Sequence, residues 1–296
     1  IINIKNVKKI KGLIKEKIQK DLKKIIQKRK NFLKNVNFLD PSIMGILNIT
    51  PDSFSDGGKF YKKKKAKNHF QQMIKDGAKL IDVGGESTRP GSTTIKIENE
   101  LQRIDKVLRD FKKHHKKICL SIDTRKSEVM IRAIKYGADL INDVSGFKHD
   151  KESLSKIKKY DIAKVLHHMQ GTPDTMQKNP KYKNVLLDIY DFFEKGIQKI
   201  DNKKIILDPG IGFGKNLKHN MSLLHNISIF HSLGFPVLVG NSRKSFIKEL
   251  SENNDSKSRI GGTVASSIYL MMQGIQILRI HDVNEVAQSI KVFKKI

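Results

Sequence analysis

The sequence predicts an α/β fold, a (β/α)8 TIM barrel preceded by a basic amphipathic helical extension, and three observations carry that prediction. From Ile43 onward, eight short β-branched runs each give way to a helix-compatible stretch. Most of those runs end in a polar residue, as barrel strands do where they meet a functional mouth. A chain of 296 residues with 38% hydrophobic content supplies core for one large domain. Eight strands in strict β-then-α alternation fit a closed parallel barrel better than an open doubly wound sheet of about five or six.

Taken in order, residues 1–40 differ from the rest. Ile10, Leu13, Ile14, Ile18, Leu22, Ile25 and Ile26 recur at three- and four-residue spacing with Lys on the other face, the pattern of an amphipathic basic helix. Packing on the barrel's underside is the first expectation for it, ahead of a linker from a preceding domain or a membrane-surface helix. Residues 41–296 are read as the barrel, with strands at 43–48, 80–84, 118–123, 139–143, 162–167, 204–208, 236–240 and 277–281. Helical segments are expected at 66–75, 98–111, 128–136 and 185–200.

The polar strand ends are Asn48, Asp82, Asp123, Asn142 with Asp143, His167 with His168, Asp208, residues 241–244, and Arg279 with His281. A polar group ending an apolar strand needs a partner, and one case is ordinary capping. Repetition around the barrel points to a shared polar pocket. The loops 50–58 and 84–91 are turn-rich, and Thr88 beside Arg89 suits an anion grip. Residues 210–215 carry glycines and a lysine, but neither the dinucleotide spacing nor the terminal Ser or Thr of a phosphate loop. His167 and His168 are adjacent on a strand and face opposite ways, so they form no joint metal site.

Net charge is +28, which by itself invites a polyanion partner. Only nine of the 58 basic residues are Arg, the Lys are dispersed, and no basic recognition module or aromatic stacking motif accompanies them. Solvated helix faces are therefore expected, with no nucleic-acid partner. The single cysteine, Cys119, lies in an apolar run and reads as a small buried residue of a reducing compartment. No apolar run reaches the roughly 18 residues of a membrane span, and no signal peptide is recognisable, so a soluble, cytoplasmic protein without a membrane partner is expected.

Residues 44–58 and 82–91 together resemble the two signatures of the dihydropteroate synthase family. The agreement continues through 121–125, 141–145, 207–215, 242–245 and 279–281, in order. Members of that family join 6-hydroxymethyl-7,8-dihydropterin diphosphate to p-aminobenzoate, release pyrophosphate, and are the targets of sulfonamides. The resemblance implies pterin-binding roles for Asp123, Asn142, Asp208 and Lys244, and diphosphate-binding roles for Asn48, Thr88, Arg89, Arg279 and His281. It implies Mg2+ as cofactor with Asn48 as a ligand, and a p-aminobenzoate slot from Asp52, Phe54, Thr88, Arg89, Pro90, Phe213 and Ser245. The implied catalytic set is Asn48, Asp123, Asp208, Lys244, Arg279 and His281.

Asn241, Phe147 and Lys248 depart from the family's usual small residues or Gly, which bears on loop shape. Relatives are commonly homodimers, and some are fused to the pathway's preceding pyrophosphokinase; an opening at Ile1 without Met suits an excerpt from such a fusion. The rival reading within the same barrel type is a methyltetrahydrofolate-to-corrinoid methyltransferase, which needs neither loop signature nor the Arg279 and His281 pair. A basic nucleic-acid-binding protein is the non-enzymatic rival.

Overall fold

Runs of Ile, Leu and Val too short for helices pair side by side as β1 (Ser42–Asn48), β2 (Leu80–Gly84), β3 (Cys119–Asp123), β4 (Leu140–Asp143), β5 (Ala163–His167), β6 (Ile205–Asp208), β7 (Leu238–Val239) and β8 (Ile277–Ile280). The structure, a computed structural model, describes residues 12–50, 59–115, 117–252 and 255–296. All pairings are parallel, in the order β6-β5-β4-β3-β2-β1-β8-β7. A parallel bridge between Leu207 and Val237 joins β6 to the start of β7 and completes the ring. The (β/α)8 barrel expected from the sequence is thus the observed architecture.

β7 is shorter than the sequence run at 236–240. Pro236 has no N–H to give a ladder, although its carbonyl still accepts from Leu207 N at 2.9 Å. The surrounding helices are α1 (Leu13–Ile26), α2 (Lys59–Lys75), α3 (Ile97–His114), α4 (Ser127–Lys135), α5 (Ser153–Ile157), α6 (Val185–Lys199), α7 (Leu217–His225), α8 (Ser245–Ser251), α9 (Ile260–Met272) and α10 (Val283–Phe293). Their starts follow from local chemistry where a cap is present: Asn184 accepts from Leu186 N and Leu187 N, and Asn216 with His219 forms a reciprocal capping box. Among the described residues no helix is long and apolar enough to cross a membrane.

Burying each Leu or Ile of the core stabilises the fold by about 1.5–3 kcal/mol, and the interior of the barrel divides that core in two. Met44, Leu80, Cys119, Leu140, Ala163, Val165, Ile206, Leu238 and Ile277 face inward and meet Leu33, Val36 and Phe38, which close the N-terminal end of the barrel. The outward residues of the strands pack on the helices in the larger cluster. The basic helix α1 lies on the short 3-10 turn Ile227–Leu233, where Arg29 Nη2 donates to His231 O at 2.9 Å. Of its apolar stripe, Ile14, Ile25 and Ile26 stay exposed, while Ile10 lies outside the described residues. The segment following the helix, not the helix, seals the underside.

Candidate active site

A strand shows alternate residues to alternate faces, so the inward set can be followed from the apolar end to the other. After Leu80 come Asp82 and Gly84; after Cys119 come Ser121 and Asp123; after Leu140 comes Asn142; after Val165 comes His167; after Ile206 comes Asp208; after Ile277 come Arg279 and His281. Parallel register sets these neighbours level, pairing Asn48 with Gly84, Gly84 with Asp123, Asp123 with Asn142, and His167 with Asp208. The residues predicted from strand ends therefore converge at the C-terminal mouth because their spacing along each strand is even.

Asp82 lies at the centre of the floor. Fully buried, it accepts from Ser121 Oγ at 2.6 Å, Asn142 Nδ2 at 2.9 Å and Arg279 Nε at 2.7 Å. The same guanidinium donates through Nη2 to Asp123 Oδ2 at 2.8 Å. Two buried oxygens beside this network, Asp123 Oδ1 and Asn142 Oδ1, have no hydrogen-bond partner. A buried acceptor left unsatisfied costs about 1–3 kcal/mol, which a donor-bearing ligand would recover.

Asp208 completes the acceptor wall. Its Oδ1 accepts Gly210 N at 2.8 Å, and its Oδ2 lies 3.9 Å from His167 Nε2. His167 donates from Nδ1 to Val144 O at 2.8 Å, and burial holds its ring neutral, so the approach to Asp208 is not an ion pair. Lys244 Nζ sits 4.1 Å from the centre of the Phe213 ring, which stands edge-to-face with the His167 ring, their centres 4.7 Å apart. Burial lifts Asp208 to about 6, against the pull of the Gly210 N–H and of Lys244. It lifts Asp123 as well, opposed by Arg279, and drops Lys244 to about 8 with Arg279 adding to the fall.

His281 is neutral here: burial, then Arg279, Arg243, Lys244 and Arg89, push it down to about 3. Its Nδ1 lies 3.1 Å from Ser242 Oγ, while Arg279 is turned toward the two aspartates. The two share a face as expected, but in this arrangement the imidazole is a polar group and not a second cation. The field of Arg89 at His281 puts loop 86–95 over the same mouth. Thr88 is half-buried there, and Arg89 and Pro90 are exposed. Ser245 is exposed at the start of α8, next to Lys244. Asp52 and Phe54 lie outside the described residues.

Asp143 and His168, also flagged as strand ends, turn away from the pocket. Asp143 caps its own turn by accepting from Ser145 N and Phe147 N. His168 Nδ1 faces Lys215 Nζ at 3.1 Å, and that buried ammonium also donates to Gly210 O and Phe213 O, both at 2.9 Å. Lys215 thus ties down the loop that sequence motifs only showed was not a phosphate loop. Gly210 is required in it: at φ 68° a Cβ would meet His168 O at 2.0 Å. One departure from the family pattern has a local reason, since Asn241 Nδ2 donates to Thr263 O, Ser266 Oγ and Ser267 Oγ, whereas Phe147 stands at φ 62° in a buried turn, where the family's usual Gly would sit without strain. Nothing in the structure explains Lys248, which is exposed.

Among the described residues no group of three or more His, Cys, Asp or Glu could hold a metal ion. What is present is a gap above Gly84, where an added Cβ would lie 3.5 Å from Asn48 Oδ1 and 3.4 Å from Asp123 Cβ. One amide oxygen next to a carboxylate fits a hard cation that brings its own diphosphate and water ligands, the usual habit of Mg2+.

The pterin binding enzyme family matches residues 44–281. The dihydropteroate synthase of Escherichia coli (strain K12) is 42% identical over 257 residues, covering 85% of this chain and 90% of that protein. That of Synechocystis sp. is 40% identical over 255 residues, covering 84% and 88%. Among solved structures, the Yersinia pestis dihydropteroate synthase in a sulfonamide drug complex superposes with a TM-score of 0.83 at 40% identity, covering 88% of this chain and 95% of that one. The Xanthomonas albilineans dihydropteroate synthase in complex with 7,8-dihydropteroate gives 0.79 at 33% identity, with the same coverage. An inward-facing polar ring on a (β/α)8 barrel, matched in sequence over most of its length, places this chain among the pterin binding enzymes, in the dihydropteroate synthase family.

Proposed function

We propose that this chain condenses 6-hydroxymethyl-7,8-dihydropterin diphosphate with p-aminobenzoate, giving 7,8-dihydropteroate and pyrophosphate, with the pterin ring seated on Asp123, Asn142, Asp208 and Lys244. The observation that carries this assignment of the ring is the pair of buried, unpartnered oxygens, Asp123 Oδ1 and Asn142 Oδ1, on the inward face that also carries the buried Asp208 carboxylate. A dihydropterin presents several N–H donors along one edge and a carbonyl on another. Acceptor oxygens together with the Lys244 ammonium match that pattern.

Arg279, His281, Asn48, Thr88 and Arg89 would receive the diphosphate at the rim. Mg2+, held by Asn48 and the diphosphate oxygens, would neutralise charge on the leaving group. Loss of pyrophosphate leaves a resonance-stabilised pterin-methylene cation, which the arylamine captures. The protein's part is electrostatic and positional: the aspartates stabilise the developing positive charge, Arg279 steadies the departing anion, and the loops exclude water. Phe54, Thr88, Pro90, Phe213 and Ser245, with Asp52 and Arg89, would form the p-aminobenzoate slot.

Turnover of the purified chain with both substrates and Mg2+, followed by chromatography for dihydropteroate, tests the reading. Formation of dihydropteroate is expected. No product, with demethylation of methyltetrahydrofolate onto a corrinoid instead, would replace it with the methyltransferase. A homodimer is the assembly we favour, because Leu250, Tyr269 and Met272 on α8 and α9 leave large apolar side chains exposed; a monomer mass in sedimentation would refute it. The lone, buried Cys119 is consistent with a cytoplasmic location, which fractionation of the source cells would check. Residues 1–40 are read as an extension to the barrel of residues 41–296; a chain lacking residues 1–30, which keeps the Leu33, Val36 and Phe38 plug, should still bind the pterin, and loss of binding would count against α1 being an extension.

A further inference from the structure

Three donors surround Asp82, and a carboxylate can only accept from them. Arg279 Nε pairs with that fully buried carboxylate at 2.7 Å. The chemistry of Asp82 therefore decides which way its neighbours point. Asn142 must turn its NH2 group toward Asp82 Oδ2, 2.9 Å away, since the flipped amide would set two oxygens against each other at that distance. Its Oδ1 is left on the other side, buried and without a partner. Arg279, anchored through Nε, reaches Asp123 Oδ2 with Nη2 and leaves Asp123 Oδ1 unpartnered in the same way. Ser121 spends its hydroxyl proton on Asp82 Oδ1 at 2.6 Å.

From this network we infer that Asp82, with no atom of its own assigned to substrate, is a specificity-determining positioning residue that fixes the donor–acceptor polarity of the pocket floor, so that it offers acceptors to N–H groups of a ring. The inference rests on the pterin reading above. It adds a reason why the floor selects a donor-rich edge: the Asn142 amide and the Ser121 hydroxyl, each able to point either way, are held in one hydrogen-bonding sense by a single carboxylate with no atom assigned to the ligand.

The experiment changes each of the two groups in turn, read by calorimetry with unphosphorylated 6-hydroxymethylpterin so that diphosphate contacts of Arg279 do not enter. Asp82→Asn and Asn142→Asp should each weaken binding about ten- to a hundredfold, the first by freeing the Asn142 amide to flip and the second by opposing two carboxylates. A well-folded Asp82→Asn protein that binds the pterin as wild type does overturns the inference. If the single variants do not fold, the wild-type protein decides: the Asn142 side-chain amide protons should exchange slowly with solvent by NMR, and rapid exchange contradicts a fixed orientation. Wild-type protein that binds no pterin would overturn the pterin reading itself, which is visible before any variant is made.

Discussion

At the N-terminal end of the barrel, Met44, Leu80, Cys119, Leu140 and Ile277 pack against Leu33, Val36 and Phe38; two residues further along four of these strands, on the same inward face, stand Asp82, Ser121, Asn142 and Arg279. Alternation sets the direction of both sets, and position along the strand sets their chemistry. The lower set contributes stability through burial. The upper set opposes it, since buried charges lose hydration that their partners only partly restore. One end of the interior holds the barrel together, and the other spends part of that stability on an oriented polar surface.

Substitutions at the two ends should therefore separate affinity from stability. Asp208→Ala is expected to have the largest effect, weakening pterin binding in calorimetry by more than about a hundredfold, because two adjacent N–H donors of the ring lose an ionised acceptor. Leu80→Ala should leave that affinity unchanged while costing about 2–5 kcal/mol in denaturant unfolding. If Leu80→Ala impaired binding in the folded protein as much as Asp208→Ala, the division between the ends would fail.

Arg279→Ala should sharpen the picture within the upper set. Affinity for the pterin diphosphate should fall about ten- to a hundredfold while that for the unphosphorylated pterin, measured near pH 8, falls much less. Equal losses for both ligands would mean that Arg279 serves the ring and not the diphosphate. The variant should also move the acid limb of pterin binding to higher pH, because Arg279 pulls both Asp123 and Asp208 down.

The smallest effect is the pH profile of the wild type. Asp208, lifted from 3.8 to about 6, is needed ionised, so pterin affinity should fall as pH drops through 6. Lys244, lowered to about 8, is needed charged, so affinity should fall again as pH rises through 8. The sign for stability is the reverse on the acid side. A carboxyl raised by folding contributes stability that is present below its unfolded value and is lost as pH rises through about 6. Calorimetry across pH 5–9 should show affinity rising between pH 5 and 7 and falling above 8, whereas the stability of the whole chain also carries the opposite contribution of the buried, neutral His167 and His281; an affinity that stays flat between pH 5 and 7 would contradict buried Asp208 as the titrating group.

Much of this was legible in the letters. Eight β-branched runs ending in polar residues located the strands, and the even spacing from Leu80 to Asp82 or from Ile277 to Arg279 and His281 sufficed to put those residues on one face. Partnerships were not legible. Arg279 lies 197 residues from Asp82 and 156 from Asp123, so its turn toward the aspartates depends on register between strands that no local pattern encodes. For the same reason Asp82 read as one more strand end, although the pairing of Asp82 with Ser121 and of Asp123 with Asn142 makes it the centre of the floor. Lys215 was obscured by its glycine-rich setting, where composition shows a tight turn and gives no sign of what the ammonium will hold. At the N-terminus, periodicity found the helix but missed the plug, since Leu33, Val36 and Phe38 follow no regular period.

The central claim is that the upper inward residues form a single pterin seat, and a crystal structure of the chain with 6-hydroxymethylpterin tests it most directly. The ring should lie at the C-terminal mouth with N–H groups on Asp208, Asp123 Oδ1 and Asn142 Oδ1 and its carbonyl toward Lys244. A ring bound elsewhere, or seated there with Asn142 flipped and Asp123 Oδ1 still unpartnered, would contradict the account.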